Sequence, residues 1–261
     1  MKTICHYIFV AAAFALTLPL ACRAEAQDEG PVSIVQTYKV TPAHRPAFRT
    51  WLETQGSQQF AAWKKAGTIM DYLILLNPYI ANDTSDDVMI VIDFPNFFAT
   101  AAWRQIERKM PGGLPPEALK LATPQPTVLT DLLARFDDPS IDLAKAAFQI
   151  TKFKAPSAAA YSHFVKHFTS PQFAALRDKA HVISGFRSYL NREQTSQSWD
   201  AIIIVQAPSW AALMSAESFK AGIRADLAAA DPEFKKMMET RKTIRTETSI
   251  TNLDAVIPSG P

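Results

Sequence analysis

The chain has 261 residues, 48% of them hydrophobic and 20% charged, with a formal net charge of +2. That balance supplies apolar mass for a sizeable core and excludes a disordered or low-complexity chain. No Lys/Arg cluster concentrates the positive charge, so nucleic acid is not an expected partner.

Residues 1–26 stand apart from the fold. Lys2 gives a positive start, Ile8 to Leu20 is mostly apolar, and Ala24-Glu25-Ala26 forms a small-x-small site before Gln27. This is the pattern of a cleaved secretory signal, and it is too short for a comfortable membrane span. Leu20-Ala21-Cys22 resembles the end of a lipobox, so a lipid-anchored start at Cys22 is the alternative, with Pro19 where that motif wants leucine. Cleavage after Ala26 would remove both cysteines, Cys5 and Cys22, leaving a mature chain without disulfides or thiolate metal ligands. The expected location is periplasmic or secreted.

Val32 to Val40 is rich in β-formers and predicts the first strand. Thr41-Pro42 opens a helix whose apolar face is Phe48, Trp51 and Leu52, then, after a break expected at Gly56-Ser57, Phe60 and Trp63. Gly67 ends it. Ile69 to Leu76 and Val88 to Phe94 read as strands joined by the polar loop Asn82 to Asp87. A second helix follows Pro95-Asn96 and carries Phe97, Phe98, Trp103 and Ile106. The Pro/Gly-rich stretch Pro111 to Pro116 leads to a helical turn and a last strand near Thr127 to Leu133. Asp137-Asp138-Pro139-Ser140 marks a joint, and then the order repeats. Phe148 to Phe153 is a strand, and Tyr161, Phe164, Val165 and Phe168 line a helix. Val182 to Leu190 and Ala201 to Val205 form a hairpin, Trp210 begins the second helix, and Thr243 to Ile250 is the closing strand.

The repetition extends to residues. Shifted by 113 positions, Ser33 to Thr100 overlies Ala146 to Leu213 without a gap. Gln36 then meets Gln149, Gln59 to Ala62 meets Gln172 to Ala175, and Asp87 meets Asp200. A duplicated unit of strand, helix, strand, strand, helix, strand is implied, with halves at residues 32–136 and 146–252. Leu73 to Leu76, Met89 to Ile92 and Ile202 to Val205 are continuous apolar runs, and strands of that kind are covered on both faces. Two helices per half cover only one face, so the sheets of the two halves should face each other with helices outside.

This α+β pattern resembles the dimeric α/β-barrel superfamily, a ferredoxin-like fold, here with two tandem copies in one chain. The resemblance rests on element order and implies a ligand cleft between the sheet and the helices of one half. That superfamily spans cofactor-independent monooxygenases, haem-degrading enzymes, polyketide cyclases and isomerases, so fold alone selects no reaction.

Four residues stand out as a candidate binding set. His181, Arg187 and Tyr189 share one strand parity, while the 113-residue shift matches them with Thr68, Ile74 and Leu76. Tyr72 matches Gly185, which would leave room on that face. Arg187 would bind a carboxylate or enolate and His181 or Tyr189 would move a proton. The plainer alternative has Arg187 paired with an acid across the interface of the halves. His163 and His167, four apart on one helix, have the spacing of metal ligands but fall opposite the apolar face, so no metal site is expected there. Asp83 to Asp87 reads as a solvated loop, because it lacks the glycine and terminal glutamate of a calcium loop. Gln36 and Gln149 are expected to tie strands together as hydrogen-bonded amides. No cofactor is expected. Neither Asn96 to Met110 nor Ser209 to Ala229 contains the histidine that haem-binding relatives tend to carry on the second helix. A small apolar or aromatic ligand and a further copy of the chain are the expected partners. The expected function is an exported small-molecule-binding protein or cofactor-independent enzyme with its cleft in the second half. A non-catalytic periplasmic protein acting through assembly or a protein partner is the alternative.

Overall fold

A computed structural model describes residues 30–79, 86–193 and 199–258. The first half runs β1 (Val32–Lys39), α1 (Arg45–Trp51), α2 (Ser57–Lys65), β2 (Asp71–Leu76), β3 (Val88–Phe94), α3 (Thr100–Glu107), α4 (Pro116–Leu119), the two-residue β4 (Thr123–Pro124) and β5 (Val128–Asp137). The second runs β6 (Ala147–Lys154), α5 (Ala158–Phe164), α6 (Ser170–Asp178), β7 (Gly185–Asn191), β8 (Ala201–Ala207), α7 (Trp210–Ala230), α8 (Pro232–Ile244) and β9 (Thr246–Ala255).

Each half orders its long strands in the ferredoxin-like way, β5-β1-β3-β2 and β9-β6-β8-β7. All pairings are antiparallel, and the halves join edge to edge. Strand β5 pairs with β7 from Thr130↔Asn191 to Asp137↔Gly185, and β2 pairs with β9 at Leu75↔Ala255 and Leu76↔Asp254. The two sheets expected face to face are therefore opposite walls of one closed eight-stranded barrel. The β2–β9 seam is short, and the β5–β7 seam runs almost the full strand.

Strand alternation then sorts the side chains. Val35, Leu75, Met89, Val91, Phe148, Ile150, Tyr189, Ile202 and Ile204 fill the barrel interior. Ile34, Tyr38, Ile74, Ile90 and Ile92 point outward against Phe48, Trp51, Leu52, Phe60 and Trp103 of the first half's helices. Phe153, Ile203 and Val205 point outward beneath the second half's helices. Strands β3 and β8 are buried along their whole length, as continuous apolar runs require.

Three sequence expectations change. Gly56-Ser57 does not break the first helix. The chain passes from α1 to α2 through a π turn at Leu52–Gly56, and the second half repeats it at Val165–Thr169, between α5 and α6. A π turn costs hydrogen-bond geometry, so its recurrence 113 residues later is strong support for duplication. Thr243 and Ile244 are not strand but the last turn of α8, and the closing strand extends to Ala255.

The gapless shift also fails on two strands. The Asp87 amide donates to the Tyr38 carbonyl and the Asp200 amide to the Phe153 carbonyl, while the Asn77 and Asn191 amides donate to Asp87 and Asp200. Tyr38 thus corresponds to Phe153, Asn77 to Asn191 and Asp87 to Asp200, offsets of 115, 114 and 113. Gln36 corresponds to Thr151, not Gln149. Arg187 and Tyr189 correspond to Leu73 and Leu75, and Gly185 to Asp71. Loop lengths differ by a residue or two between the copies; the one-residue slip between β2 and β7 turns the matched side chains to the other face, whereas the two-residue slip between β1 and β6 keeps the face.

The first half's outer core closes over Gly113. Its φ is +75° and a Cβ there would lie 2.6 Å from the Trp103 ring. Gly113→Ala is expected to cost about 2 kcal/mol in denaturant unfolding, from left-handed backbone strain and displacement of that ring. An unchanged midpoint would mean the loop relaxes freely.

Candidate functional site

Helix starts align well enough to compare the two outer cores. Asn96 Oδ1 accepts from the Ala99 amide and Ser209 Oγ from the Ala212 amide, which places α3 and the start of α7 in one register. Trp103, only 1% exposed, then corresponds to Ala216. In the first half the Trp103 indole fills the space between sheet and helix, stacked on Phe60 and edge-on to Trp63. In the second half alanine leaves that space open. Gly56 corresponds to Thr169, and the Trp51 ring packs so closely on Gly56 that a Cβ there would lie 2.9 Å away.

The result is a cleft of about 400 Å³ between the second half's sheet and helices. Its floor is the outer face of β6, β8 and β9: Gln149, Thr151, Phe153, Ile203, Val205, Glu247 and Ile250. One wall is the π turn with α6, contributing Phe168, Thr169, Gln172 and Phe173; the other is α7, contributing Glu217, Lys220 and Arg224. Arg245, at the junction of α8 and β9, closes one end. A lobe of about 190 Å³ continues past Ala216 and Met214 at the other.

The charged groups are unevenly compensated. Lys220 bonds Glu217 at 2.6 Å. Arg224 Nε donates to Gln172 Oε1 at 2.6 Å, a neutral partner. The Arg245 guanidinium lies 4.0 Å over the Phe153 ring and 4.7 Å over that of Phe164, and its Nη1 is buried without a hydrogen-bond partner. Burial pushes Arg245 below the usual guanidinium range, against the opposing pull of Tyr161 and Glu247. Burial, then repulsion from Arg241, does the same to Arg224. Thr169 Oγ1, on a residue 1% exposed, also lacks a partner. In the first half Thr54 and Ser57 instead bond back to their own helix.

The four residues singled out from sequence do not converge on this cleft. Arg187 and Tyr189 point into the barrel. His181 is not on the strand at all: it follows α6 in a left-handed conformation (φ 55°) and is exposed. Tyr72 lies on the outer face of β2 in the first half, against Phe60. Gly185 offers no room, since a Cβ would meet Gln206 Oε1 at 2.9 Å.

Arg187 is the paired residue of the plainer alternative. Its Nε and Nη2 donate to Asp137 at 3.1 and 3.3 Å, and Nη1 lies 3.5 Å from Asp93. Arg135 joins the cluster through Asp71, Asp93 and Asp137. Three carboxylates and two guanidiniums thus meet in one barrel mouth, tying β2, β3, β5 and β7 together. Burial raises Asp93 above the ordinary aspartate range despite Arg187. Burial raises the fully enclosed Tyr189 phenol as well.

Tyr72 does line a second cavity of about 500 Å³, between α2 and β2 beside the short seam, with Lys64, Leu73, Leu143 and Val256. His163 and His167 lie on the outside of α5 and the π turn, their rings 4.3 Å apart, with His163 2.8 Å from Glu233 of α8. Among the described residues no group of three or more His, Cys, Asp or Glu is arranged to hold a metal. Gln36 bonds the Gln125 carbonyl and Thr127, tying β1 to the chain entering β5, and Gln149 bonds Asn252 on β9. Residues 1–26 and most of the Asp83 to Asp87 loop lie outside the described residues. No helix among the described residues is long and apolar enough to cross a membrane.

The residues sequence reasoning missed are Thr169, Arg224 and Arg245. Arg245 sits just before the closing strand, where no periodicity marks a side chain as inward. A lone signal was present: Ala216 stands at the helical position that holds Trp103 in the first half.

No family model matches the chain and no curated protein matches it. Solved structures do. A monooxygenase candidate from Lactobacillus acidophilus superposes with a TM-score of 0.54 at 11% identity, covering 88% of this chain and 97% of that one. Another from Fusobacterium nucleatum gives 0.55 at 10% identity, covering 88% and 95%. An anthrone oxidase-like protein gives 0.52 at 10% identity, covering 90% and 98%. At such identities the likeness concerns fold. Among the described residues those lining the cleft include no imidazole or thiolate, and this donor set does not fit axial ligation of a haem iron. The chain has the fold of the dimeric α/β-barrel superfamily, with two ferredoxin-like units fused in one polypeptide.

Proposed function

We propose that this protein is exported and binds a small, largely apolar molecule in the cleft of its second half. The exchange of Trp103 for Ala216 carries this reading, because an indole fills the space between helix and sheet at this position in one copy and alanine leaves it open in the other. Phe153, Phe168, Phe173, Ile203 and Val205 supply an apolar bed, and a few polar groups converge on one end, the usual make-up of a ligand pocket. A cofactor-independent enzyme is the natural extension of the binding role. The cleft's carboxylates are Glu217, bonded to Lys220, and the exposed Glu247, which makes binding the better supported function.

A thermal-shift screen of aromatic and polyketide-like acids against the mature protein tests the proposal. Stabilisation that rises with ligand concentration is the expected result. A flat response across the panel, with a stable oligomer in solution, would favour the assembly role instead. Cell fractionation tests export, which predicts a chain beginning near Gln27 outside the cytoplasm.

A further inference from the structure

We infer that the molecule bound in this cleft is an acid, its carboxylate held by Arg245 and Arg224 with Thr169 as a third donor. The inference rests on the cleft being a binding site and adds the chemical class of its occupant. Arg245 and Arg224 approach from different elements, and among the described residues neither has a carboxylate within ion-pair distance. Arg241 and Lys242 of α8 add positive charge at the same end, where Glu247 is the one acidic side chain among the described lining residues. A buried guanidinium without a counter-ion is costly, and an arriving carboxylate removes that cost while making charge-assisted hydrogen bonds.

The donors are held in place before any ligand arrives. Arg245 is clamped between the Phe153 and Phe164 rings, and Arg224 by its bond to Gln172, itself 4% exposed. Thr169 ends the π turn, and its unbonded, buried hydroxyl borders the cleft. Beyond this charged end the surface is Phe168, Phe173, Ile203 and Val205, so an anion on a flat apolar body fits better than a bare anion. The first half has none of the three donors: Gly56 stands for Thr169, and its shorter α3 ends before the position of Arg224.

Isothermal titration with 2-naphthoate, its neutral amide 2-naphthamide, and inorganic phosphate tests the assignment. Naphthoate is expected to bind at least tenfold more tightly than naphthamide, and phosphate to bind only weakly. Arg245→Gln should lower naphthoate affinity at least tenfold more than naphthamide affinity and so erase the preference for the acid, and Arg245→Lys should restore part of it. Thr169→Val, close in shape to the native residue, gives a second reading should Arg245→Gln unfold; it should weaken naphthoate more than naphthamide. Equal binding of acid and amide in every variant would overturn the inference while the cleft stands. Phosphate binding as tight as naphthoate would overturn the choice of a carboxylate on an apolar body. No binding of either naphthalene would remove the cleft reading and the inference together.

Discussion

Ala216→Trp is expected to abolish ligand binding while leaving the barrel folded. The substitution recreates in the second half the side chain that the first half carries at the same helical position. Trp103 shows that the fold accepts an indole between helix and sheet, packed on Phe60 and Trp63. The lobe beside Ala216 measures about 190 Å³ and opens on Gln149, Phe173 and Val205, residues it shares with the main cleft. An indole there would occupy that lobe and press on the ring of Phe173. Overpacking of this kind costs about 1–3 kcal/mol, which a barrel of this size should tolerate. Affinity for any acid found by screening should fall at least a hundredfold. Retained affinity with a normal melting profile would show that ligands bind elsewhere.

Arg187→Ala is expected to cost about 3–5 kcal/mol of unfolding free energy, among the largest effects of any single change outside the aromatic cores. The residue is 8% exposed, and its side chain joins β7 to Asp137 of β5 and Asp93 of β3. Its loss leaves Arg135 as the one guanidinium beside Asp93 and Asp137, and Asp93 has no exposure to water. The penalty should depend on pH in a defined direction. Asp93 is already raised by burial, and Arg187 is the main influence holding it down. A carboxyl raised in the folded state takes up a proton on folding, so its contribution is largest at low pH and is lost as pH rises through the folded value. The variant should therefore recover part of its lost stability as pH falls from 7 toward 5. Asp71, lowered by Lys64 and Arg135 despite burial, acts in the opposite sense and should weaken the native protein only at lower pH. Urea unfolding at several pH values checks both statements. A penalty below about 1 kcal/mol at pH 7, or one that grows on acidification, would contradict this role for Arg187.

Much of the architecture was legible in apolar pattern alone. Continuous runs such as Ile202 to Val205 demanded cover on both faces, and two helices per half left only the partner sheet to provide it. The helices carried the duplication faithfully, from Phe48 and Tyr161 through the two π turns to the caps at Asn96 and Ser209. The strands did not, because a loop longer by one or two residues moves Gln36 opposite Thr151 and Leu73 opposite Arg187. The one-residue slip at Leu73 is invisible in a gapless comparison, yet it decides which side chains of that strand face the barrel and which face the helices. The contrast between copies did hold: Arg187 and Tyr189 stand where the first half has Leu73 and Leu75. It lies inside the barrel, where the charges satisfy one another across the seam. The cleft itself depended on a small residue at position 216 and on Arg245, brought over Phe153 by α7 and α8, a helix pair much longer than α3 and α4 of the first half. Neither is marked by spacing, since one is an absence of bulk and the other depends on tertiary approach.

The most direct test of an asymmetric barrel with one working cleft is a crystal structure soaked with 2-naphthoate. The ring system should lie over Phe153 beneath α7, with the carboxylate turned to Arg245 and Thr169. A naphthoate found instead in the first-half cavity beside Tyr72, or drawn into the barrel mouth at Arg187, would contradict it.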